Sequence, residues 1–428
     1  MLSSDPRYGN YLKILQEELV PATGCTEPIA IAYGAAKARE LLGVLPESVL
    51  VEASGNIIKN VKSVIVPNTG GLKGLKAAAA AGIVAGKAEL QMSVIAETDP
   101  EDIPKIQKYI DEHEIHIERK EGGSALYIEV ILEGEGHSSK SVISDYHTNI
   151  VLLEKDGAVV FQKAPELRSS FASDHSLMSL ESMWDFINTV ETEDISDLLD
   201  SQINCNSAIS KEGLEKPWGA QIGRILIKNA NDTKTRAMAR AAAGSDARMS
   251  GCEKPVVIVG GSGNQGLTVT MPVLEYAERL GSSRDKLYRA LALANLMAVY
   301  LKKDIGRLSA YCTAVTAGVG AGCAVAYLDG GSLEAVRHTI VNDLAVLSGM
   351  FCDGAKPSCA AKVANSVGAG IMGYEMYKNG QSFNGGDGFL QSSADDTIDA
   401  VAEIAREAMT ETDKKILDIM VSSSNKEQ

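Results

Sequence analysis

Several absences in this 428-residue chain narrow what it can be. None of its seven cysteines forms a C-x-x-C pair, which argues against a zinc ribbon or a ferredoxin-type site, whose ligands come in close pairs. There is no H-E-x-x-H. The only close pair among six histidines, His113 and His116, sits in a charged strand-helix junction that reads as exposed. Positive charge is also short: 41 Lys and Arg stand against 56 Asp and Glu, for a net charge of −15. Nucleic acid and anionic membranes would repel such a surface, so neither is expected as a partner. The first residues, Met1-Leu2-Ser3-Ser4-Asp5-Pro6-Arg7, are polar and carry no secretory signal. An odd number of cysteines then points to a reducing, cytoplasmic setting and to thiol or metal chemistry before disulfides. One uncharged run, residues 308–328, has the length of a membrane span, but Gly318-Val319-Gly320-Ala321-Gly322 interrupts it and small residues fill it. A buried core helix is the better reading.

What is present predicts an α+β fold. Residues 8–20 read as a helix that breaks at Val20-Pro21-Ala22-Thr23-Gly24-Cys25-Thr26-Glu27-Pro28 and resumes from Ile29 to about Gly43. Thr26 suits an N-cap and Pro28 the first helical turn, which would leave Cys25 just outside a helix N-terminus. From Val49 the pattern changes to strands interleaved with two helices, about residues 74–85 and 104–113. Leu126, Ile128, Val130 and Leu132 alternate with less apolar neighbours, and Asp156-Gly157 marks a hairpin turn within residues 151–161. Beyond Pro165 strand signals nearly vanish. Helical periodicity runs to the end, broken by glycine-rich turns at residues 260–266, 318–322, 330–331 and 384–388. The expected division is an N-terminal helical segment (1–48) packing on the C-terminal part, a small α+β sub-domain (49–165) and a large, mainly helical domain (166–428).

Chemistry concentrates in Gly349-Met350-Phe351-Cys352-Asp353-Gly354-Ala355-Lys356-Pro357-Ser358-Cys359, where two cysteines bracket a turn and Pro357 suits the first turn of a new helix. A thiol there sits where backbone N–H groups favour a thiolate. Gly261-Ser262-Gly263-Asn264-Gln265-Gly266 satisfies G-x-G-x-x-G after the strand-like Pro255-Val256-Val257-Ile258-Val259. The second parallel strand of a dinucleotide fold is missing, because residues 287–302 read as helix, so NAD is not expected. A turn offering N–H groups and the side chains of Ser262, Asn264 and Gln265 to a small carboxylate competes with a purely structural turn. Cys205 and Cys252 have no evident partner and read as structural. Cys312 and Cys323 stand eleven positions apart, so at most one of them serves a compact cluster. His147, in Asp145-Tyr146-His147-Thr148-Asn149, is either a satisfied core histidine or a catalytic base.

The motifs Pro21-Ala22-Thr23-Gly24-Cys25-Thr26-Glu27-Pro28, Pro67-Asn68-Thr69-Gly70, Gly261-Ser262-Gly263-Asn264-Gln265-Gly266 and Cys352-Asp353-Gly354-Ala355-Lys356 occur in that order. Together they resemble the L-cysteine desulfidase group of the iron–sulfur L-serine dehydratase alpha-chain family, over nearly the whole chain. The resemblance implies a [4Fe–4S] cluster in the helical domain, held by Cys25, Cys312 and Cys352 with Cys359 as rival for the third place, and one iron left open for substrate. It implies β-elimination from L-cysteine to pyruvate, ammonia and hydrogen sulfide. The alternatives are L-serine as substrate of the same site, or a non-enzymatic cluster or amino-acid binding protein. His147, Lys356 and Glu27 are the candidate bases; Asn68, Thr69, Ser262, Asn264 and Gln265 are candidates to hold the amino acid. Pyridoxal phosphate is not expected, since the best glycine turn lacks a suitable Schiff-base lysine. A homodimer is possible through small-residue helices such as residues 308–328.

Overall fold

The structure is a computed structural model that describes residues 1–163, 173–305 and 309–424, with side chains to residue 420. It is an α+β protein: a six-stranded sheet backed by helices, followed by a large helical body. The division expected at residue 165 lies outside the described residues.

The chain opens with α1 (Pro6–Glu18), β1 (Pro21–Thr23) and α2 (Thr26–Leu42). Asp5 caps α1 by accepting the Arg7 N–H at 2.9 Å, and Pro6 costs nothing in the first turn. The buried stripe Tyr8, Tyr11, Ile14 and Leu15 faces the helical body, whereas α2 packs on the sheet. Then come β2 (Ser48–Ser54), α3 (Gly55–Val61), α4 (Gly74–Ala85), α5 (Ile103–Glu112), β3 (Ile115–Lys120), β4 (Tyr127–Gly134), β5 (His137–Ser144), β6 (Ile150–Lys155) and β7 (Ala158–Gln162). The sheet order is β3-β2-β4-β5-β6-β7; β2 and β3 are parallel and the other pairs antiparallel. Val49, Val51 and Ala53 of β2 alternate inward with Ile128, Val130 and Leu132 of β4 and meet α2 and α4. The five alanines Ala77–Ala81 are buried there, and at Gly82 a Cβ would stand 2.1 Å from the Ala32 carbonyl. The close crossing of α2 and α4 depends on that missing atom.

The helical body comprises α6 (Leu180–Thr189), α7 (Ser196–Glu215), α8 (Ile222–Ile227), α9 (Thr233–Met249), α10 (Gly263–Leu280), α11 (Arg284–Lys302), α12 (Ala314–Leu328), α13 (Leu333–Leu347), α14 (Cys359–Lys378), α15 (Ala394–Glu403) and α16 (Met409–Ser424). Its one strand among the described residues, β8 (Pro255–Val257), pairs antiparallel with β1, so residues 21–23 are stitched to a segment over two hundred residues away.

Two expectations are corrected. Gly318-Val319-Gly320-Ala321-Gly322 is no turn: it lies inside α12. Positions four apart share a helix face, so Gly318 and Gly322 face α14, where a Cβ would lie 2.4 Å from the Ser366 carbonyl and 2.3 Å from that of Gly370. Gly320 points the other way, 2.5 Å from the Ala294 carbonyl of α11. The glycines allow helix contact on two faces, and α12 is buried apart from Tyr327, so its small residues pack within the chain. The second correction is that Cys25, not Thr26, occupies the N-cap of α2. Among the described residues no helix is long and apolar enough to cross a membrane.

Gly320→Ala is expected to lower stability by about 1–3 kcal/mol, since a backbone carbonyl cannot yield as a side chain could, and urea unfolding measures it. A second test concerns Asp246 on α9, which is fully buried and accepts the Gly223 N–H at 2.9 Å. Burial pushes its carboxyl up to about 6 from the usual 3.8 despite such backbone hydrogen bonds. A raised folded-state value means its stabilising contribution is complete below about pH 4 and is lost as pH rises through about 6. Asp246→Asn should therefore match the parent near pH 4 and exceed it at pH 8 by up to about 3 kcal/mol, read from urea midpoints.

Candidate functional site

The site forms where the first turn of α2, α3, the glycine turn before α10, the entry to α12 and the loop before α14 meet. Gly24 has φ of +69°, and a Cβ on it would stand 2.4 Å from Pro67 Cγ, which ties the Pro67-Asn68-Thr69-Gly70 loop to the cysteine turn. Cys25 then stands at the N-cap position of α2, where its thiol makes no capping bond to the helix backbone and donates instead to Glu27 Oε2 at 3.1 Å. The Thr26 hydroxyl donates to the same oxygen at 3.1 Å, and Asn60 Nδ2 of α3 to Oε1 at 3.0 Å. Burial opposes a charge on Glu27, but His147, the Cys25 thiol, a backbone N–H and Arg248 together hold its carboxyl below the usual range. Burial, reinforced by Glu27, pushes the Cys25 thiol well above its ordinary value.

Pairing of β1 with β8 carries the chain into the glycine turn, where Gly260 and Gly261 have φ of +56° and +79°. The Thr26 hydroxyl reaches the Gly261 carbonyl at 3.4 Å. Ser262 caps α10, its Oγ accepting the Gln265 N–H at 3.5 Å. Asn264 Oδ1 accepts from Arg248 Nη1 at 3.3 Å. Gln265 is fully buried; its Oε1 accepts from the Thr316 hydroxyl at 3.4 Å, and that hydroxyl also bonds the Thr313 carbonyl beside Cys312. Among the described residues β8 pairs only with β1 and antiparallel, so the parallel strand pair of a dinucleotide unit does not form there.

Cys312 and Cys352 flank a short antiparallel bridge between Tyr311 and Phe351. The Cys312 N–H donates to Met350 O at 2.9 Å and the Cys352 N–H to Ala310 O at 2.6 Å. Burial, with Cys352 and Cys359 nearby, pushes the Cys312 thiol up to about 12. Past Cys352, Gly354 has φ of +91° and no room for a side chain: a Cβ would stand 2.2 Å from the Lys59 carbonyl of α3. The loop thus rests on the helix whose next residue, Asn60, holds Glu27. Lys356 and Lys362 donate to Asp353 Oδ1 at 2.5 and 2.6 Å; burial opposes the charge, yet these two lysines hold the carboxyl at about 2. Cys359 opens α14, two residues after the Pro357 expected to begin it, and its thiol turns back toward Gly354 O at 3.6 Å. The buried Lys59 pairs with Asp413 of α16.

The structure therefore brings Cys25, Glu27 and His147 together, gathers Cys312, Cys352 and Cys359, and joins the two groups through Asn60–Lys59–Gly354 and Gln265–Thr316. It does not turn Asn68 and Thr69 toward them: Asn68 Nδ2 donates to Ile95 O at 2.8 Å and Thr69 Oγ1 to Val66 O at 2.8 Å. All seven cysteines are free, and among the described residues no three His, Cys, Asp or Glu side chains are clustered closely enough to hold a metal ion. Asn60, Lys59 and Arg248 carry no signal in the sequence, because each stands in a helix with no motif around it. Cys312, by contrast, lies forty positions before Cys352 and is its backbone neighbour.

Residues 76–418 match the serine dehydratase alpha chain family, and the chain belongs to it. The family is named for a dehydratase, a lyase class. Among its relatives is a "UPF0597 protein" of Desulfitobacterium hafniense, 50% identical over 424 residues and 99% of both chains. Similar proteins, also named UPF0597, occur in Finegoldia magna (45% identical, 96% of this chain and 99% of that one) and Lachnoclostridium phytofermentans (44%, 97% and 100%).

Gly354→Ala should lift the loop off α3. A side chain there meets both the Lys59 carbonyl and the left-handed backbone, a strain of about 1–2 kcal/mol or more, so alkylation of Cys352 and Cys359 should accelerate roughly ten-fold, as peptide mass mapping would show.

Proposed function

We propose that this protein is an iron–sulfur lyase that removes the β-substituent of L-cysteine, giving pyruvate, ammonia and hydrogen sulfide. The observation that carries this reading is the convergence of the Cys25 turn and the Cys312–Cys352 bridge on α3 and the glycine turn, in a member of the serine dehydratase alpha chain family.

Cys25, Cys312 and Cys352 would hold a [4Fe–4S] cluster. The donor chemistry suits it: all three thiols are free, and burial keeps Cys25 and Cys312 protonated until a cation takes up the charge. Cys352 is preferred to Cys359 because its backbone pairs beside Cys312, while the Cys359 thiol faces Gly354 O. Bound there, such a cluster would supply the Lewis acidity that favours departure of a thiolate or hydroxide.

The chain's own groups do the rest. His147, buried and within electrostatic reach of Glu27, is assigned as the base that takes the α-proton, and the Glu27 carboxylate balances the imidazole's charge as the proton arrives. Lys356 is committed to Asp353 and is assigned to holding the loop. The substrate carboxylate is assigned to the glycine turn with Ser262, Asn264 and Gln265. The aminoacrylate product needs no further catalysis to become pyruvate and ammonia. L-serine is the second reading, favoured by the family's name; the ratio of kcat/KM for the two amino acids decides between them.

The test is anaerobic purification and reconstitution of the parent and of single Cys→Ser variants at 25, 312, 352 and 359, with iron, sulfide and pyruvate measured. The expected result is a brown parent that releases sulfide and pyruvate from L-cysteine, loss of the full cluster at 25, 312 and 352, and its retention at 359. A parent without iron sinks the proposal. A full cluster in the Cys352 variant with loss in the Cys359 variant reassigns the third ligand.

A further inference from the structure

Arg248 ends α9 with its side chain in the site, only 3% exposed. Among the described residues no carboxylate forms an ion pair with it. Among the described residues the single hydrogen bond of its side chain is the 3.3 Å contact from Nη1 to the neutral Asn264 Oδ1, and its buried Nε has no acceptor. A guanidinium does not shed its charge, so burying one without an anion is unfavourable.

The surroundings deepen that deficit. The guanidinium lies over Gly263, where a Cβ would stand 2.4 Å from Nε and 2.8 Å from Cζ. Gly263 opens α10, so a positive group rests against the positive end of an eighteen-residue helix, whose first amides have no partner within the helix. A second donor is also unmatched: Gln265 Nε2, buried on the same turn, has no acceptor. Glu27 feels the Arg248 charge but is already bonded to Cys25, Thr26 and Asn60. Donors thus surround the glycine turn, and apart from Ser262 Oγ, which takes the Gln265 backbone amide, and the neutral Asn264 Oδ1, no acceptor meets them among the described residues.

We infer that Arg248, with Gln265 Nε2 and the first amides of α10, binds the α-carboxylate of a free amino acid and restricts the site to substrates that carry one. This rests on the lyase reading for the identity of the substrate. It names a residue outside every sequence motif as the determinant that excludes amides, esters and simple thiol amines. A planar fork of donors matches a carboxylate better than a point charge does, so lysine should replace it only in part.

The experiment separates binding from elimination by using L-alanine, which has no β leaving group. Calorimetric titration of anaerobically purified parent, Arg248→Gln and Arg248→Lys with L-alanine and with L-alaninamide is accompanied by iron content and circular dichroism. The expected result is a loss of L-alanine affinity of about 10–100-fold in Arg248→Gln and a smaller loss in Arg248→Lys, as removal of a charge-assisted bond implies. The weak binding of L-alaninamide should be the same in all three. Equal L-alanine affinity in parent and variants overturns the inference, as does a parent that does not bind L-alanine. A parallel loss for L-alaninamide, or lost iron with L-alanine affinity intact, overturns it too and assigns Arg248 a structural or cluster-side role. If Arg248→Gln does not fold, Arg248→Lys decides by the same criteria. Parent protein that binds L-alanine but releases neither sulfide nor pyruvate sinks the lyase reading and leaves the carboxylate site standing.

Discussion

The site depends on one buried carboxylate. Glu27 accepts from Cys25 at the N-cap, from Thr26 at the start of its own helix and from Asn60 on α3, and it feels the charge of His147 in the connection between β5 and β6. An ionised group so deeply buried is tolerable only with several donors around it. Those donors come from the N-terminal turn and from α3, so satisfying the charge fixes where these pieces stand. Through α3 the constraint extends to the second group of cysteines, because Gly354 rests on the carbonyl of Lys59.

Around this polar junction the chain uses small residues where other proteins use large ones. α4 meets α2 through alanines and Gly82, and α12 meets α11 and α14 through Gly320 and the Gly318–Gly322 face. Backbones that approach this closely leave few rotatable side chains between them, and dispersion contacts replace the bulk of aromatic packing. Such close backbone packing suits a site whose donors come from segments far apart in sequence.

Much of this could be read from local pattern. α4, the β6–β7 hairpin and the alternating strand β4 were evident because each carries its own periodicity or turn signal. The cysteine turn and the glycine turn were recognisable for the same reason. What escaped was what depends on partners. Three glycines spaced by two look like a loop until α11 and α14 are placed against them. Asn60 and Arg248 look like ordinary helix residues until Glu27 and the start of α10 lie beside them. Asn68 and Thr69 sit in a recognisable motif, yet their polar groups turn to their own loop and to the Ile95 carbonyl.

The pairing of Lys59 with Asp413 also bears on how the protein is made. The two residues are 354 positions apart, and α16 reaches back further still, with Leu417 against Gly55 and the Lys62 ammonium on the Met420 carbonyl. α3 emerges from the ribosome early, yet the partner of its buried ammonium is among the last parts of the described chain to be synthesised. At ordinary elongation rates of about 5–20 residues per second, the helix that supports Glu27 waits tens of seconds for that partner. Until then the Lys59 ammonium lacks its carboxylate, so the helix whose Asn60 holds Glu27 is completed only when the last described helix docks against it.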